Sequence, residues 1–561
     1  MSALVALDWF VIAGYFAAVF GLAFWAVHRE KTTRTTSSGY FLAGRNVGWF
    51  VIGASLFASN IGSEHLIGLA GAGADQGVAV AHYEIWASLV LVLLGWLFAP
   101  FYLKSGVFTM PEFLERRYSP AARWYLAVIS IVAYVLTKIS VTILAGGIIF
   151  KTLMGFESVW TGALIVIIAT GIYTIFGGLR AVLYTDMMQM FILIGGAVAV
   201  TFIGLHELGG WGEMTRIAEP EFFSMWRPTD HADYPWTGMM IGAPILGVWY
   251  WCTDQYIVQR VLSARNIDNA RVGTMFGGYL KLLPLFIFVV PGIIAYCLKQ
   301  QGALDYGKTN AALPALIGAL LPAGIRGLVT AGFLAALMSS LSTVFNSCST
   351  IVTCDIYKKI NPQASERRLV VVGQLSTVVL VFLGMLWVPM MDDIDDRLFQ
   401  YLQAVQAYVA PPITAVFLLG LFLPRLNGIG AMVALITGFV LGAGRFVLEI
   451  VKNRMNIGSK DGAGEAFAAR YGSFLADVVN MHFLHFAVLM FLVCSILLVV
   501  FSLLTSSKRR EELAGLTFLT TGSSSVETDE RLRVDAKLLG KHVVLTLILV
   551  GAVCSTWWYF S

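Results

Sequence analysis

A cluster of polar side chains interrupts one of the long apolar segments of the chain. Residues 57–73 read FASNIGSEHLIGLAGAG and include Ser59, Asn60, Ser63, Glu64 and His65. Unpaired polar groups are costly in hydrocarbon, so such a cluster is retained where it faces protein or a water-filled cavity. The glycines loosen the helix, and an interrupted helix frees carbonyls to coordinate a cation. The segment predicts a substrate and ion site at the membrane midplane; the alternative is a tightly packed helix with small contact residues.

A second interrupted helix is predicted at residues 242–260, which read GAPILGVWYWCTDQYIVQR. Two broken helices in corresponding positions are typical of inverted-repeat transporters, with the substrate bound between them. Aromatic rings such as Tyr250 and Trp251 stack on the C–H faces of a sugar, while nearby polar groups bind its hydroxyls. The alternative for the WYW triplet is an aromatic belt at the membrane interface.

Several other apolar segments contain charged residues or serines. Glu84, Lys138, Asp186 and Lys281 are functional candidates because the bilayer penalises charge, although a structural ion pair or snorkelling to the interface is the alternative. The run AALMSSLSTVFNSCST at 335–350 offers serine hydroxyls, and hard cations such as sodium prefer oxygen ligands. Taken alone, hydroxyls in membrane helices usually bond to their own helix, so this signal is weak.

The composition places the chain among polytopic, all-α membrane proteins. Of its 561 residues, 58% are hydrophobic and only 13% are charged, which exceeds the apolar surface that a soluble core could hide. The net charge of +4 gives no reason to expect a nucleic-acid partner. No motif predicts an enzyme or an obligatory protein partner. We predict about fourteen spans, at 6–27, 47–73, 80–103, 122–150, 158–179, 181–205, 238–262, 272–298, 326–356, 368–391, 398–423, 429–450, 479–505 and 538–560.

Loop charge predicts the orientation of the spans. Lysine and arginine concentrate in the loops after odd-numbered spans, which we therefore expect to be cytoplasmic, with both termini external. The segment 507–537 mixes both charge signs with a Ser/Thr/Gly patch and is interpreted as a solvated cytoplasmic loop. The external loops lack Asn-x-Ser/Thr sequences and paired cysteines, which favours a bacterial inner membrane as the location in the cell.

Several motifs together resemble the sodium/solute symporter family, and within it the sodium/glucose cotransporters. They are SNIGSEHLIGLAG, GGLRAVLYTDMMQ, WYWCTDQYIVQR, YLKLLP, MSSLSTVFNS, CDIYKK and FQYLQ followed by PPITAVFLLGLF, in collinear order between about residues 40 and 450. The resemblance implies a LeuT-type core of two inverted five-helix repeats, 47–205 and 238–423, joined by an external loop at 206–237. It also implies an extra amino-terminal helix and loop within 1–46 and additional carboxy-terminal helices within 424–561.

The resemblance also implies roles for individual residues. It places the sugar among Asn60, His65, Glu84, Tyr250, Trp251, Lys281 and Gln403. It implies an outer hydrophobic gate of Leu69, Tyr83 and Phe399, and an inner gate at Tyr250. The shared sodium site would use backbone oxygens of Ala58, Ile61 and Ala336 with the hydroxyls of Ser339 and Ser340. Asp186 and Ser342 match a second sodium site found in part of the family.

One residue departs from the family pattern. Gly247 stands where sugar-transporting relatives have asparagine or threonine, so one hydrogen bond to a sugar hydroxyl is missing or replaced by water. Such a bond contributes roughly 0.5 to 1.5 kcal/mol. The expected function is sodium-coupled uptake of a hexose, glucose or galactose, by alternating access. The alternatives are a sodium symporter for inositol, sialic acid or another small polar solute, and a membrane sensor without transport activity.

Overall fold

The computed structural model describes residues 4–28, 37–62, 64–387, 398–455, 470–509, 511–523 and 536–561. These residues are almost entirely helical, and ten of their helices are long and apolar enough to cross a membrane. The predicted all-α polytopic class is thereby confirmed. Shorter apolar helices add to the ten, and the total of about fourteen spans stays a prediction. Ser63 and, within the 507–537 loop, residues 510 and 524–535 lie outside the described residues.

The helices are numbered in chain order. They are α1 Ala6–His28, α2 Ser37–Leu42, α3 Trp49–Asn60, α4 Ala70–Gln76, α5 His82–Leu93, α6 Ala99–Ser105, α7 Met110–Arg117, α8 Pro120–Tyr134, α9 Ser140–Met154, α10 Val159–Leu208, α11 Trp211–Ile217, α12 Ala243–Gly247, α13 Gln255–Leu262, α14 Ile267–Leu280, α15 Val290–Gln300, α16 Ala312–Leu320, α17 Ile325–Ile351, α18 Lys358–Ile360, α19 Glu366–Trp387, α20 Leu398–Phe422, α21 Gly428–Met455, α22 Ser473–Asn480, α23 Phe483–Leu504 and α24 Ala536–Tyr559. Wide helical turns with i to i+5 hydrogen bonds connect several of them, and two such turns, Glu64–Leu69 and Val248–Thr253, lie at the predicted breaks.

Both predicted helix breaks are present. Helix α3 ends at Asn60, and Ile61 has extended backbone angles (φ −75°, ψ 96°). The second break falls at Asp254, which is also extended (φ −78°, ψ 128°) and whose carboxylate accepts the Tyr256 N–H at 3.2 Å to begin α13. At each break the helical hydrogen-bond ladder is interrupted, so backbone groups become available to a ligand.

Helix α10 contains two antiparallel halves. A straight helix of 50 residues would be about 75 Å long, far more than a membrane requires. A Cβ atom on Gly147 of α9 would lie 2.4 Å from the Val159 carbonyl oxygen, so α10 begins against the end of α9, where Leu153 lies beside Gly318 of α16. Near the end of α10, Gly204 lies beside Leu320 of the same helix α16. The chain therefore reverses within the helical run, in agreement with separate spans at 158–179 and 181–205.

Helix α16 is a difference from the sequence-based expectation, which placed only a loop between the spans ending at 298 and beginning at 326. It packs against α9 and α15. Helices α4 and α15 approach each other at backbone distance. A Cβ atom on Gly73 would lie 2.6 Å from the Val289 carbonyl oxygen. A Cβ atom on Gly292 would lie 2.1 Å from the Ala70 carbonyl oxygen. Only glycine at these two positions permits the observed approach.

Candidate substrate and ion site

A cavity lies between the two helix breaks. It is lined by Asn60, Glu64, His65, Tyr83, Glu84, Trp86, Ala87, Ala243, Leu246, Gly247, Tyr250, Trp251, Phe399, Gln403 and Gln406. Six of the seven predicted substrate residues therefore surround one space. The seventh, Lys281, reaches it through a direct contact with Glu84.

Three buried groups on the cavity wall form a charged cluster. Lys281 Nζ lies 2.5 Å from Glu84 Oε2, and His65 Nε2 lies 3.0 Å from Glu84 Oε1 and 3.2 Å from Lys281 Nζ. The same ammonium is 5.3 Å from the ring centroid of Trp251. Buried charges persist only when they are paired, and here the pairing also fixes where each group points. The structural ion pair considered as an alternative is thus present, and it borders the cavity.

Four polar atoms among the cavity-lining residues are buried and have no hydrogen-bond partner among the described residues. They are Asn60 Oδ1, His65 Nδ1, Tyr83 Oη and Trp86 Nε1. Buried polar groups in proteins are normally paired, so each such atom needs an explanation, and an incoming ligand supplies one. The set mixes acceptors and donors, as recognition of a polyhydroxylated ring requires.

Tyr250, the predicted inner gate, lines the cavity. Its hydroxyl oxygen accepts hydrogen bonds from Asn60 Nδ2 at 2.7 Å and from Lys138 Nζ at 2.9 Å. Lys138 Nζ also lies 4.1 Å from the ring centroids of Tyr250 and Tyr256 and 3.6 Å from Glu64 Oε1. The sequence indicated Lys138 as a charged candidate without a role, and the structure places it beside the predicted inner gate.

Two of the predicted outer-gate residues, Tyr83 and Phe399, line the same cavity. The rings of Tyr83 and Phe399 meet edge to face, with centroids 5.5 Å apart and an interplanar angle of 70°. A Cβ atom on Gly68 would lie 3.0 Å from Phe399 Cβ, so the π turn Glu64–Leu69 also packs on this ring. Leu69 is fully buried at the end of that turn.

The predicted sodium ligands of α17 lie against the break that follows α3. Ser340 Oγ donates to the Ser59 carbonyl oxygen at 2.9 Å, and a Cβ atom on Gly62 would lie 2.5 Å from Ser340 Oγ. Ser339 Oγ donates to Asp186. A serine hydroxyl that donates its proton still presents lone pairs to a cation. The structure brings the Ser340 hydroxyl to the first break and the Ser339 hydroxyl to Asp186. The sodium site itself, with the backbone oxygens of residues 58, 61 and 336, stays a prediction from the resemblance.

Asp186 belongs to a buried network with Arg260. Its Oδ2 accepts from Ser55 Oγ at 2.6 Å and lies 3.3 Å from Arg260 Nη2, which also donates to Thr343 Oγ1 at 2.5 Å. Ser342 Oγ instead donates to the carbonyl of Ser339 in its own helix, at 2.9 Å. The second sodium site at Asp186 and Ser342 therefore stays a prediction.

Trp86 and Gln406 are among the lining residues that were not predicted as site residues. Helical spacing could have found them, because residues 83, 86 and 87 share a face of α5, and residues 399, 403 and 406 share a face of α20. Each set begins with a predicted gate residue. Glu64 was noted only as part of the polar cluster.

A comparison with family models gives the class of the protein. The model for the sodium:solute symporter family matches residues 40–438, and the chain belongs to this family. Among characterised proteins, it is 39% identical to mouse sodium/glucose cotransporter 4 over 94% of this chain and 80% of the relative. It is 38% identical to sheep sodium/glucose cotransporter 1, over 95% and 83% of the two chains. It is also 38% identical to the mouse sodium/myo-inositol cotransporter, over 96% and 79%.

A solved structure shows the same fold. It is a sodium-coupled sialic acid symporter in a substrate-bound outward-open state, with a TM-score of 0.71 and 23% identity over 90% of this chain and 99% of that one. The predicted LeuT-type fold is confirmed by this similarity. The division into repeats at 47–205 and 238–423 stays a prediction.

Proposed function

We propose that this chain is a sodium-coupled symporter that carries a hexose such as glucose or galactose into the cell. One observation carries the proposal: a buried cavity between two broken helices holds a carboxylate, an ammonium, an imidazole and four polar atoms without partners, beside aromatic rings. Hydroxyls of a sugar match the polar groups, and Tyr250 and Trp251 match its C–H faces. The names of the relatives are consistent with this substrate.

Sodium coupling is proposed to act through the first break. Ser340 of α17 contacts Ser59 and Gly62, which stand directly before the segment that carries Glu64 and His65. A cation bound by these hydroxyls and by freed carbonyls would order that segment and so raise the affinity for sugar. About 2.3 kcal/mol per charge per 100 mV and about 1.4 kcal/mol per tenfold gradient make one ion worth about 3.7 kcal/mol. That permits several-hundred-fold accumulation, and a second ion would square it.

Alternating access follows from the two aromatic boundaries. For sugar to enter from outside, the Tyr83–Phe399 contact must open. For sugar to leave toward the cytoplasm, Tyr250 must turn away, which breaks its bonds to Asn60 and Lys138. Both boundaries contact the segment around the first break, so rocking of one helix bundle against the other would open them in turn.

Inositol is the second candidate substrate. Gly247 lies on the cavity wall next to Ala243 and Leu246, and a Cβ atom there would be 3.2 Å from Val90 Cγ2. This side of the cavity therefore presents apolar surface where a further sugar-binding side chain was expected. The mouse sodium/myo-inositol cotransporter is 38% identical to this chain, as is sheep sodium/glucose cotransporter 1. Inositol is therefore included in the test.

The test is uptake of labelled glucose and galactose, in separate runs, into proteoliposomes that contain the purified protein. An inward sodium gradient is compared with a matched potassium gradient. We expect sodium-dependent accumulation that Glu84→Ala abolishes, while Glu213→Ala, which removes a partly exposed carboxylate paired with Arg216, leaves uptake unchanged.

No uptake of either sugar, with sodium still protecting the protein against heat, would reject the hexose and retain the symporter. Inositol and sialic acid would then be tried. Sodium-independent ligand binding without flux would instead support the sensor. The multi-pass membrane location follows from the helices and the family; we further propose a bacterial inner membrane and external termini.

A further inference from the structure

The end of the last helix packs directly behind the sugar cavity. The ring of Trp557, near the end of α24, lies 5.4 Å from that of Trp86, at an interplanar angle of 61°. Trp86 lines the cavity, and its Nε1 is buried without a hydrogen-bond partner among the described residues. Trp557 therefore forms a second layer behind a residue that faces the substrate.

Trp557 is also hydrogen-bonded to the start of the helix that carries Trp86. Its Nε1 donates to His82 Nδ1 at 3.1 Å, and His82 Nε2 lies 3.0 Å from the Met225 carbonyl oxygen. A carbonyl oxygen can only accept, so Nε2 carries the ring proton and Nδ1 is the acceptor. Both ring nitrogens of this fully buried histidine are thus used, in one neutral tautomer. This arrangement fixes the first residue of α5, directly before Tyr83 and Glu84.

A loop in the segment between α11 and α12 also contacts the end of α24 and His82. Met225 N donates to the Phe560 carbonyl at 2.8 Å, and Trp226 Nε1 donates to that of Trp557 at 3.3 Å. The Trp226 ring also lies 5.4 Å from the ring of His82. The rest of α24 is mostly exposed, and the neighbouring Trp558 is 79% exposed. The contacts of Trp557 add to those that α24 makes elsewhere with the protein, such as the hydrogen bond from Trp96 Nε1 to Thr546 Oγ1 at 2.8 Å.

We propose that Trp86 is a further sugar-binding residue of this chain, and that Trp557 is the positioning residue that holds the Trp86 ring against the cavity. The inference rests on the proposed sugar transport. Trp86 Nε1 donates to a sugar hydroxyl, since it is a buried donor on the cavity wall and the part of the chain that the structure describes offers it no acceptor. Trp557 touches no substrate and acts by packing on the Trp86 ring and by anchoring His82.

The experiment measures sugar KM, maximal uptake rate and sodium half-saturation in proteoliposomes for the wild type and for Trp86→Phe, Trp86→Ala, Trp557→Phe, Trp557→Ala and Trp558→Ala. We expect Trp86→Phe to raise the sugar KM about 3- to 10-fold, as loss of one hydrogen bond does, with sodium half-saturation unchanged. Trp557→Ala should raise the KM several-fold, and Trp557→Phe, which keeps a ring but loses the bond to His82, should have a smaller effect. Trp558→Ala is the matched control and should behave as the wild type.

The double variant Trp86→Ala/Trp557→Ala tests the positioning role. If Trp557 acts through Trp86, the double variant should have the KM of Trp86→Ala alone; additive effects would overturn that role. A Trp557→Ala protein with less folded material but a normal KM would overturn it as well. If the wild type takes up hexose and Trp86→Phe has an unchanged sugar KM, the sugar-binding role of Trp86 is overturned while the proposed function stands. Absence of hexose uptake by the wild type overturns the proposed function and this inference together.

Discussion

Two polar regions meet at the break after α3, and they differ in how their groups are paired. Around Asp186, the carboxylate, the Arg260 guanidinium and three hydroxyls satisfy one another in a buried network. Around the sugar cavity, four buried polar atoms have no partner among the described residues. The first region is a closed network of paired groups, and it contains Asp186 and Ser339, two residues of the predicted sodium sites. In the second region, a bound ligand would supply the missing hydrogen-bond partners. Substitutions in the first region should therefore lower stability and sodium binding, and those in the second should lower sugar uptake.

The largest expected effect is that of Asp186→Asn. It removes the charge that balances Arg260, and breaking a buried pair from one side costs about 3–5 kcal/mol. We expect a large fall in thermal stability in detergent, together with loss of sodium protection against heat.

Asp8→Asn is the matched control for Asp186→Asn. Asp8 is equally buried and lies 2.7 Å from Arg326 Nη2, in a pair formed between α1 and α17. This variant should also lose stability, yet it should retain the stabilising effect of sodium. Retention of that effect in Asp186→Asn would contradict the assignment of its network to the ion site.

Lys281→Met should abolish uptake while sodium protection persists, because it disrupts only the cavity cluster. It leaves Glu84 buried without its ammonium partner, so stability should fall as well. The double variant Glu84→Gln/Lys281→Met should recover stability without recovering uptake, since neither buried charge remains. Lys299→Met, which removes an exposed cation 4.3 Å from the Tyr306 ring centroid, is the control. Normal uptake by Lys281→Met would refute the role of the cluster.

Ser340→Ala should raise the sodium concentration for half-maximal uptake about tenfold, the equivalent of about 1.4 kcal/mol. At saturating sodium the sugar KM should change little, because the cavity groups stay in place. Ser349→Ala removes a similar buried bond between helices, from Ser349 Oγ to the Gly373 carbonyl at 2.8 Å, and serves as control. An equal change in sodium dependence in both variants would show that packing of α17, and not ion ligation, was measured.

Ser342→Ala tests the second sodium ion. If Ser342 contributes to a second site, the wild type should move two charges per sugar, and this variant should move one. Simultaneous current and tracer flux give the ratio. A wild-type ratio near one would remove the second site, in line with the bond of Ser342 to its own helix.

The smallest expected effect is that of Gly247→Ser. The added hydroxyl can supply one bond of roughly 0.5 to 1.5 kcal/mol, so the ratio of glucose to galactose uptake should change about 2- to 10-fold. Val90 must yield slightly, because the new Cβ lies 3.2 Å from it, and Val90→Ala in the same background should enhance the change. An unchanged ratio would show that substrate hydroxyls do not approach this wall.

The sequence predicted the parts of this site that carry a local signal. Polar groups inside apolar segments identified Glu84, Lys281 and Asp186, and glycines beside polar clusters identified both helix breaks. It did not reveal the second layer, because Trp557 lies 471 positions from Trp86 in the chain and resembles any aromatic residue at a membrane interface. No role could be assigned to Lys138 from the sequence for the same reason. Its partner Tyr250 lies 112 positions away, in the second broken helix, and only the folded chain brings the two together.

The glycine contacts between α4 and α15 bear on the mechanics of transport. Where a Cβ would meet the backbone of the other helix, neither helix can slide far past the other, so the two form one stiff arm. This arm begins at the break near Gly62, beside Ser340, and extends about 21 Å to Gln76. A rotation of about 10° at such a pivot moves the far end by about 4 Å. A sodium ion at the predicted site beside Ser340 would lie at this pivot, so its binding would control the displacement at the far end of the arm.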